Sequence, residues 1–287
     1  MLDRSRHPVP EPIQIGRTTF EWGTRTYVMG ILNASPDSFS GDGLVDPDEA
    51  LRRAEAMVAA GADLIDIGAE STRPDFDAID ADEEWRRLHL VLGPIRRALD
   101  VPISVDTSKA EVARRAVDYG ADAINDVTGC LGDPGMPRAI AAAGVPVIAM
   151  HNQREREFGG DVMKDVRAGL REAMTALMTA GVPEERIIVD PGYGFGWGPV
   201  RDFEMLRRLE ELKRLGRPVL IGTSRKSSIG YVIDKPAQDR VFGTAATIAI
   251  AIANGADIVR VHDVEEMVRV ARVTDAVVRP AANGLPA

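Results

Sequence analysis

Short apolar runs that end in polar residues recur along this chain, and each is followed by a longer segment with helical spacing. The runs number eight: 27–33, 63–68, 102–106, 122–126, 146–151, 186–190, 218–224 and 257–262. Their apolarity is continuous rather than alternating, which suits strands buried on both faces of a parallel sheet. Between them lie amphipathic stretches, among them 47–60, 82–99, 109–119, 161–180 and 265–278. A weak repeat marks the junctions. Gly61-Ala-Asp-Leu-Ile65, Gly120-Ala-Asp-Ala-Ile124 and Gly255-Ala-Asp-Ile-Val259, with Gly144-Val-Pro-Val-Ile148 as a variant, each set a helix-ending glycine just before a strand.

Eight such units in 287 residues predict an α/β fold of the closed (β/α)8 TIM barrel type, because that architecture needs about 250 residues. No G-x-G-x-x-G follows the first run, which counts against an open dinucleotide-binding sheet. Residues 1–26, with Trp22-Gly23 central to 18–25, read as an N-terminal tail and hairpin. The barrel is then expected over 27–280, and 281–287 as a C-terminal tail.

Composition narrows the class. The chain is 45% hydrophobic, enough for one large core, and its formal net charge of −9 argues against broad association with nucleic acid or an anionic membrane. Its apolar stretches fall far short of the ~20 residues that span a bilayer. No signal-peptide core follows Met1, and the lone Cys130 reads as a small loop filler, so a cytoplasmic protein is expected.

In a barrel of this kind the chemistry gathers where the strands end. The eight runs deliver there Asn33, Glu70 with Ser71-Thr-Arg73, Asp106, Asn125 with Asp126, His151 with Asn152, Asp190, Ser224-Arg-Lys226, and Arg260 with His262. Asp106 and Asp190 taken singly could merely cap the following turns. As a set, carboxylates facing Arg73, Lys226, Arg260 and His262 suit a polar heterocycle with an anionic tail. Two glycine-rich loops add to this. Residues 190–196 would let backbone approach a flat ring, and 222–227 open a helix start where an anion can be held.

Seven ordered segments carry a resemblance: Met29-Gly-Ile-Leu-Asn-Ala-Ser-Pro-Asp-Ser-Phe-Ser40, Gly68-Ala-Glu-Ser-Thr-Arg-Pro74, Asp106-Thr107, Asn125-Asp-Val-Thr-Gly129, residues 190–196, Ser224-Arg-Lys226 and Arg260-Val-His262. Over residues 27 to 278 the chain resembles the dihydropteroate synthase family of pterin-binding enzymes. The resemblance implies a transferase of folate biosynthesis that joins 6-hydroxymethyl-7,8-dihydropterin pyrophosphate to p-aminobenzoate, with Mg²⁺ as cofactor, a homodimer as assembly and sulfonamides as inhibitors. It implies that Asp106, Asn125, Asp190 and Lys226 hold the pterin. Asn33, Thr72, Arg73, Arg260 and His262 would hold the pyrophosphate, with Asn33 also at the metal, while Phe39, Pro74, Phe195 and Ser227 would meet p-aminobenzoate. Asp37, Phe39, Arg73, Lys226 and Arg260 would take part in catalysis, in part from two loops that close over the substrates.

The chain also departs from the family pattern. Asp75-Phe76 stand where a glycine usually follows Arg-Pro, Ala34-Ser35 replace an aliphatic-Thr pair, Gly41-Asp42 inverts Asp-Gly, and Trp197 takes the place of a frequent lysine. A methyltetrahydrofolate-binding methyltransferase domain would share the Asp and Asn anchors, but it has no pyrophosphate for Arg73, Arg260 and His262 to bind. A silent pterin-binding paralogue would have lost an anchor, and none is lost.

Overall fold

The computed structural model describes residues 9–34, 46–70, 78–279 and 282. An antiparallel hairpin comes first, β1 (Ile13–Ile15) with β2 (Thr18–Phe20). The alternating units follow as β3 (Tyr27–Asn33), α1 (Pro47–Ala60), β4 (Leu64–Gly68), α2 (Ala81–Ala98), β5 (Ile103–Asp106), α3 (Ala110–Asp118), β6 (Ala123–Asp126), α4 (Met136–Ala143), β7 (Val147–Met150), α5 (Val162–Thr179), β8 (Ile187–Asp190), α6 (Pro199–Arg207), β9 (Leu220–Ile221), α7 (Ser227–Ile233), α8 (Val241–Ala253), β10 (Ile258–Val261) and α9 (Val264–Val278).

Strands β3 to β10 pair in parallel in the order β8-β7-β6-β5-β4-β3-β10-β9, and one bridge between Val189 and Val219 joins the two ends. The result is the expected TIM barrel, nearly closed, with helices outside. Continuous apolar strands such as Leu64–Gly68 are buried along their whole length, inward against the barrel interior and outward against the helices. The run 218–224 shortens to the two residues of β9, because pairing stops at Gly222 and the chain turns away toward α7.

The hairpin exists, but its turn falls at Gly16-Arg17 rather than at Trp22-Gly23. Gly16 takes a φ of 57°, the left-handed geometry that a tight two-residue turn needs. Trp22 instead donates its indole N–H to the Glu11 carbonyl at 3.0 Å, and with Phe20 and Tyr27 it closes the N-terminal end of the barrel against Ile148, Ile188 and Ile258.

The repeated Gly-Ala-Asp junction has a structural role at that same end. Each glycine is left-handed, with φ of 103°, 107° and 100° at Gly61, Gly120 and Gly255. Each aspartate then ties its own strand to a neighbour by accepting that strand's free N–H. Asp63 accepts from Val28 at 2.7 Å, Asp122 from Ile103 at 2.9 Å and Asp257 from Val219 at 2.8 Å, while Arg25, Arg96 and Lys213 balance their charges. The junction seals the stable face of the barrel, leaving the opposite rim for ligands.

Candidate active site

At the C-terminal rim lies a cavity of about 910 Å³, lined among others by Asn33, Asp106, Asn125, Asp190, Phe195, Lys226, Ser227, Arg260 and His262. Every described residue to which the resemblance assigns a role therefore lines one cavity. Asp37, Phe39, Thr72, Arg73 and Pro74 lie outside the described residues, as do Ser35, Gly41, Asp42, Asp75 and Phe76. Asp126, His151 and Asn152 do not line the cavity. Asp126 accepts from the Thr128 backbone and hydroxyl at 2.7 Å, and His151 stacks on Trp197 while pairing with Gln153 at 3.0 Å. Glu70 pairs with Lys109 at 2.6 Å and accepts the Ile79 N–H at 2.9 Å.

The floor is organised by a residue that the sequence reading passed over. Asp66 stands in the middle of β4 and is wholly buried. Its carboxylate accepts from Ser104 Oγ at 2.5 Å, Asn125 Nδ2 at 3.0 Å and Arg260 Nε at 2.6 Å. Arg260 also donates from Nη2 to Asp106 at 2.7 Å. Its fork thus spans two carboxylates, and a ligand would meet the remaining Nη1 edge. The signal for Asp66 was present as a lone carboxylate inside an apolar run, which unpaired would be prohibitively costly to bury.

Asp106 does not cap the helix after it. Lys109 precedes α3 without a side-chain cap, and the Ala110 N–H is taken by Asp133 at 2.8 Å. Asp190 is half a turn residue, since its Oδ1 accepts the Gly192 N–H at 2.8 Å. Burial raises both carboxyls. Asp106 stands well above the usual carboxylate range despite Arg260, with Asp66 adding repulsion, and Asp190 is pushed up to about 6 against the pull of Gly192, Lys226 and Arg260. Such carboxylates are relieved by a ligand that brings N–H donors.

The opposite wall is cationic and aromatic. Lys226 holds its ammonium 4.0 Å from the centre of the Phe195 ring, and Arg154 lies 4.8 Å from that centre. Burial, then Arg260, bring Lys226 down to about 8. Gly194 permits this contact. Its φ is 80°, and a Cβ there would come 2.8 Å from Lys226 Cδ. His262 was expected to supply positive charge, but burial and the neighbouring Arg225 and Arg260 push it down to about 3. It is a neutral hydrogen-bonding group whose Nδ1 pairs with Ser224 Oγ at 3.0 Å. Ser227 stands exposed at the start of α7, and Asn33 exposed at the end of β3. Trp197 is buried under the 190–196 loop, edge-on to Phe158 as well as stacked on His151.

These features define a ligand-binding (β/α)8 barrel whose mouth is made for a flat, donor-rich heterocycle with an anionic substituent. Residues 29–262 match the family model described as pterin binding enzyme. A dihydropteroate synthase of Synechocystis sp. is 44% identical over 286 residues, covering 97% of this chain and 99% of that protein. Solved structures agree. A Clostridium difficile dihydropteroate synthase determined in the presence of pteroic acid superimposes with a TM-score of 0.88 at 46% identity, covering 91% of this chain and 99% of that one. A Xanthomonas albilineans dihydropteroate synthase with 4-aminobenzoic acid gives a TM-score of 0.88 at 38% identity, covering 94% and 98%. The chain belongs to the dihydropteroate synthase family of pterin-binding enzymes.

Proposed function

We propose that this chain catalyses the dihydropteroate synthase reaction of folate biosynthesis, a transfer in which pyrophosphate leaves 6-hydroxymethyl-7,8-dihydropterin pyrophosphate and the amine of p-aminobenzoate takes its place. The observation that carries this reading is the pairing, in one cavity, of raised carboxylates at Asp106 and Asp190 with a cation-flanked aromatic ring at Phe195. Asp106, Asn125 and Asp190 accept from the pterin's aminopyrimidinone edge, and Lys226 lies beside it. As the C–O bond to pyrophosphate breaks, positive charge grows on the pterin methylene, which the buried carboxylates stabilise. Arg260 through Nη1 and neutral His262 take the leaving oxygens, with Thr72 and Arg73 proposed beside them. The p-aminobenzoate ring rests on Phe195 with its carboxylate toward Ser227. Its nitrogen forms the new C–N bond and gives up a proton. Asp37, Phe39 and Pro74 are proposed to complete the site.

A Mg²⁺ ion fits this rim as one carried by the substrate. No group of three or more His, Cys, Asp or Glu side chains that could hold a metal occurs among the described residues, whereas Asn33 offers one amide oxygen at the cavity edge. Mg²⁺ takes most of its ligands from water and substrate phosphates, so one protein oxygen suffices. When bound it would neutralise charge developing on the pyrophosphate.

We place the barrel at 27–280, flanked by the 1–26 and 281–287 segments. A homodimer is supported by the exposed apolar side chains of Tyr231, Val232, Phe242, Ile250, Val273 and Val277, carried on the adjacent helices α7, α8 and α9. A cytoplasmic setting is supported by the single buried, unpaired cysteine, and no described helix is long and apolar enough to cross a membrane. Incubation with dihydropterin pyrophosphate, p-aminobenzoate and Mg²⁺ tests the function. Equimolar dihydropteroate and pyrophosphate are expected, and pterin binding without either product would reduce the chain to a binding protein.

A further inference from the structure

Behind the wall that carries Phe195 and Lys226 is a carboxylate for which the reaction above has no role. Asp202, in the first turn of α6, is buried yet does not line the cavity. Acidic residues in a first helical turn ordinarily face water, but this one is turned inward. Its Oδ1 accepts the Gly194 N–H at 2.8 Å. Helix α6 packs against α7, where Ser228, near enough to draw the Asp202 carboxyl down, donates its hydroxyl to that of Tyr193 at 2.9 Å. Gly194 and Tyr193 belong to the loop that presents Phe195, and Ser228 lies two residues beyond Lys226. One buried carboxylate therefore holds the loop that presents Phe195 from a helix packed against the one that follows Lys226.

We propose that Asp202 is a positioning residue for the p-aminobenzoate half of the site: it anchors the Phe195 loop to α6, beside α7, and supplies, besides Asp190, the negative charge that keeps Lys226 an ammonium ion over the ring. The inference rests on the proposed function for its kinetic consequences, though not for its electrostatics. Lys226 is faced by Asp190 at the end of β8 and Asp202 on α6, which favour its charged form. Arg260 on β10, Arg154 beyond β7 and burial itself oppose it. With Asp202 gone, two guanidinium groups would confront one carboxylate around a buried amine. Asp202 is itself raised by burial to about 6, with Gly194, Ser228 and Lys226 pulling it down, so it is ionised where Lys226 titrates, at about 8.

Two variants separate charge from support. Asp202→Asn keeps an oxygen for the Gly194 N–H but removes the charge, whereas Asp202→Ala removes both. The chain has only five lysines, so the Lys226 side chain can be followed through a pH titration by NMR of ¹³C-lysine-labelled protein, with Lys226→Arg for assignment. In Asp202→Asn the Lys226 midpoint should fall by about half a pH unit or more, and the alkaline limb of kcat/KM should move with it. In Asp202→Ala the KM for p-aminobenzoate should in addition rise more than that for the pterin substrate. A folded Asp202→Asn protein with an unshifted Lys226 midpoint would overturn the proposal, because a purely structural aspartate would leave that midpoint alone. Failure of the functional reading looks different: the wild-type protein would make no dihydropteroate, yet the Lys226 midpoint would still fall in Asp202→Asn.

Discussion

Asp66→Asn is the sharpest perturbation of the cavity floor, since it changes one atom of a group that three others depend on. In the wild type, Oδ2 accepts from both Arg260 Nε and Asn125 Nδ2, while Oδ1 accepts from Ser104. An amide can place its oxygen toward Arg260 and Asn125 and its NH2 toward Ser104 Oγ, which can accept, so the loss is that of the charge opposite Arg260. Breaking a buried ion pair by removing one partner costs about 3–5 kcal/mol. Arg260 keeps Asp106, and its side chain is 21% exposed, so the lower end applies, about 3 kcal/mol. For a chain of this size that corresponds to a fall in Tm of about 6–12 °C. Loss of the Asp66 charge also removes a repulsion that raises Asp106, and Asn125 is left with a neutral, weaker acceptor to orient it. Pterin affinity should drop by about tenfold, roughly 1.4 kcal/mol. Differential scanning calorimetry of the free protein and calorimetric titration with a pterin ligand measure the two effects. A Tm within about 2 °C of wild type together with unchanged pterin affinity would refute the role given to Asp66.

Three further outcomes follow from the same geometry. Asp190→Asn sets a donor against the pterin edge and should weaken pterin binding at least about tenfold, read by calorimetry. Arg260→Lys cannot span Asp66 and Asp106 as the guanidinium does, so binding of pterin and of pterin pyrophosphate should both weaken, the latter more; equal losses would place the pyrophosphate elsewhere. Asp190 is raised from 3.8 to about 6, so the folded free protein holds a proton that the unfolded chain has lost between those values. This group's contribution to stability therefore declines as pH rises from about 4 to about 6. A pterin that donates to the ionised carboxylate reverses the preference. Its binding should tighten over that range and release protons, which titration in buffers of different ionisation enthalpy will detect.

Much of this was legible in the sequence because barrel strands and helices differ so plainly in period. The limits of β3 and α1 coincide with those read from the pattern, and the glycines of the repeated junction are left-handed as their places before strands implied. Cys130 is buried in its loop as a small filler would be. The hairpin turn was misplaced because Trp22-Gly23 has turn composition, whereas the aromatic ring of Trp22 is needed to close the barrel floor. Asp66 escaped because a single polar residue in an apolar run reads as an interruption until its partners, 38, 59 and 194 residues away in the chain, are brought together. The neutrality of His262 was equally unreadable, since it depends on burial and on how near Arg225 and Arg260 come.

The division of the cavity into a carboxylate floor for the pterin and a Phe195 wall for p-aminobenzoate is the central claim. A crystal structure of this protein with 7,8-dihydropteroate bound tests it most directly. The aminopyrimidinone edge is expected within hydrogen-bonding distance of Asp106, Asn125 and Asp190, and the benzoate ring against Phe195 with its carboxylate toward Ser227. A pterin ring bound away from Asp106 and Asp190, or a benzoate ring directed away from Phe195, would contradict it.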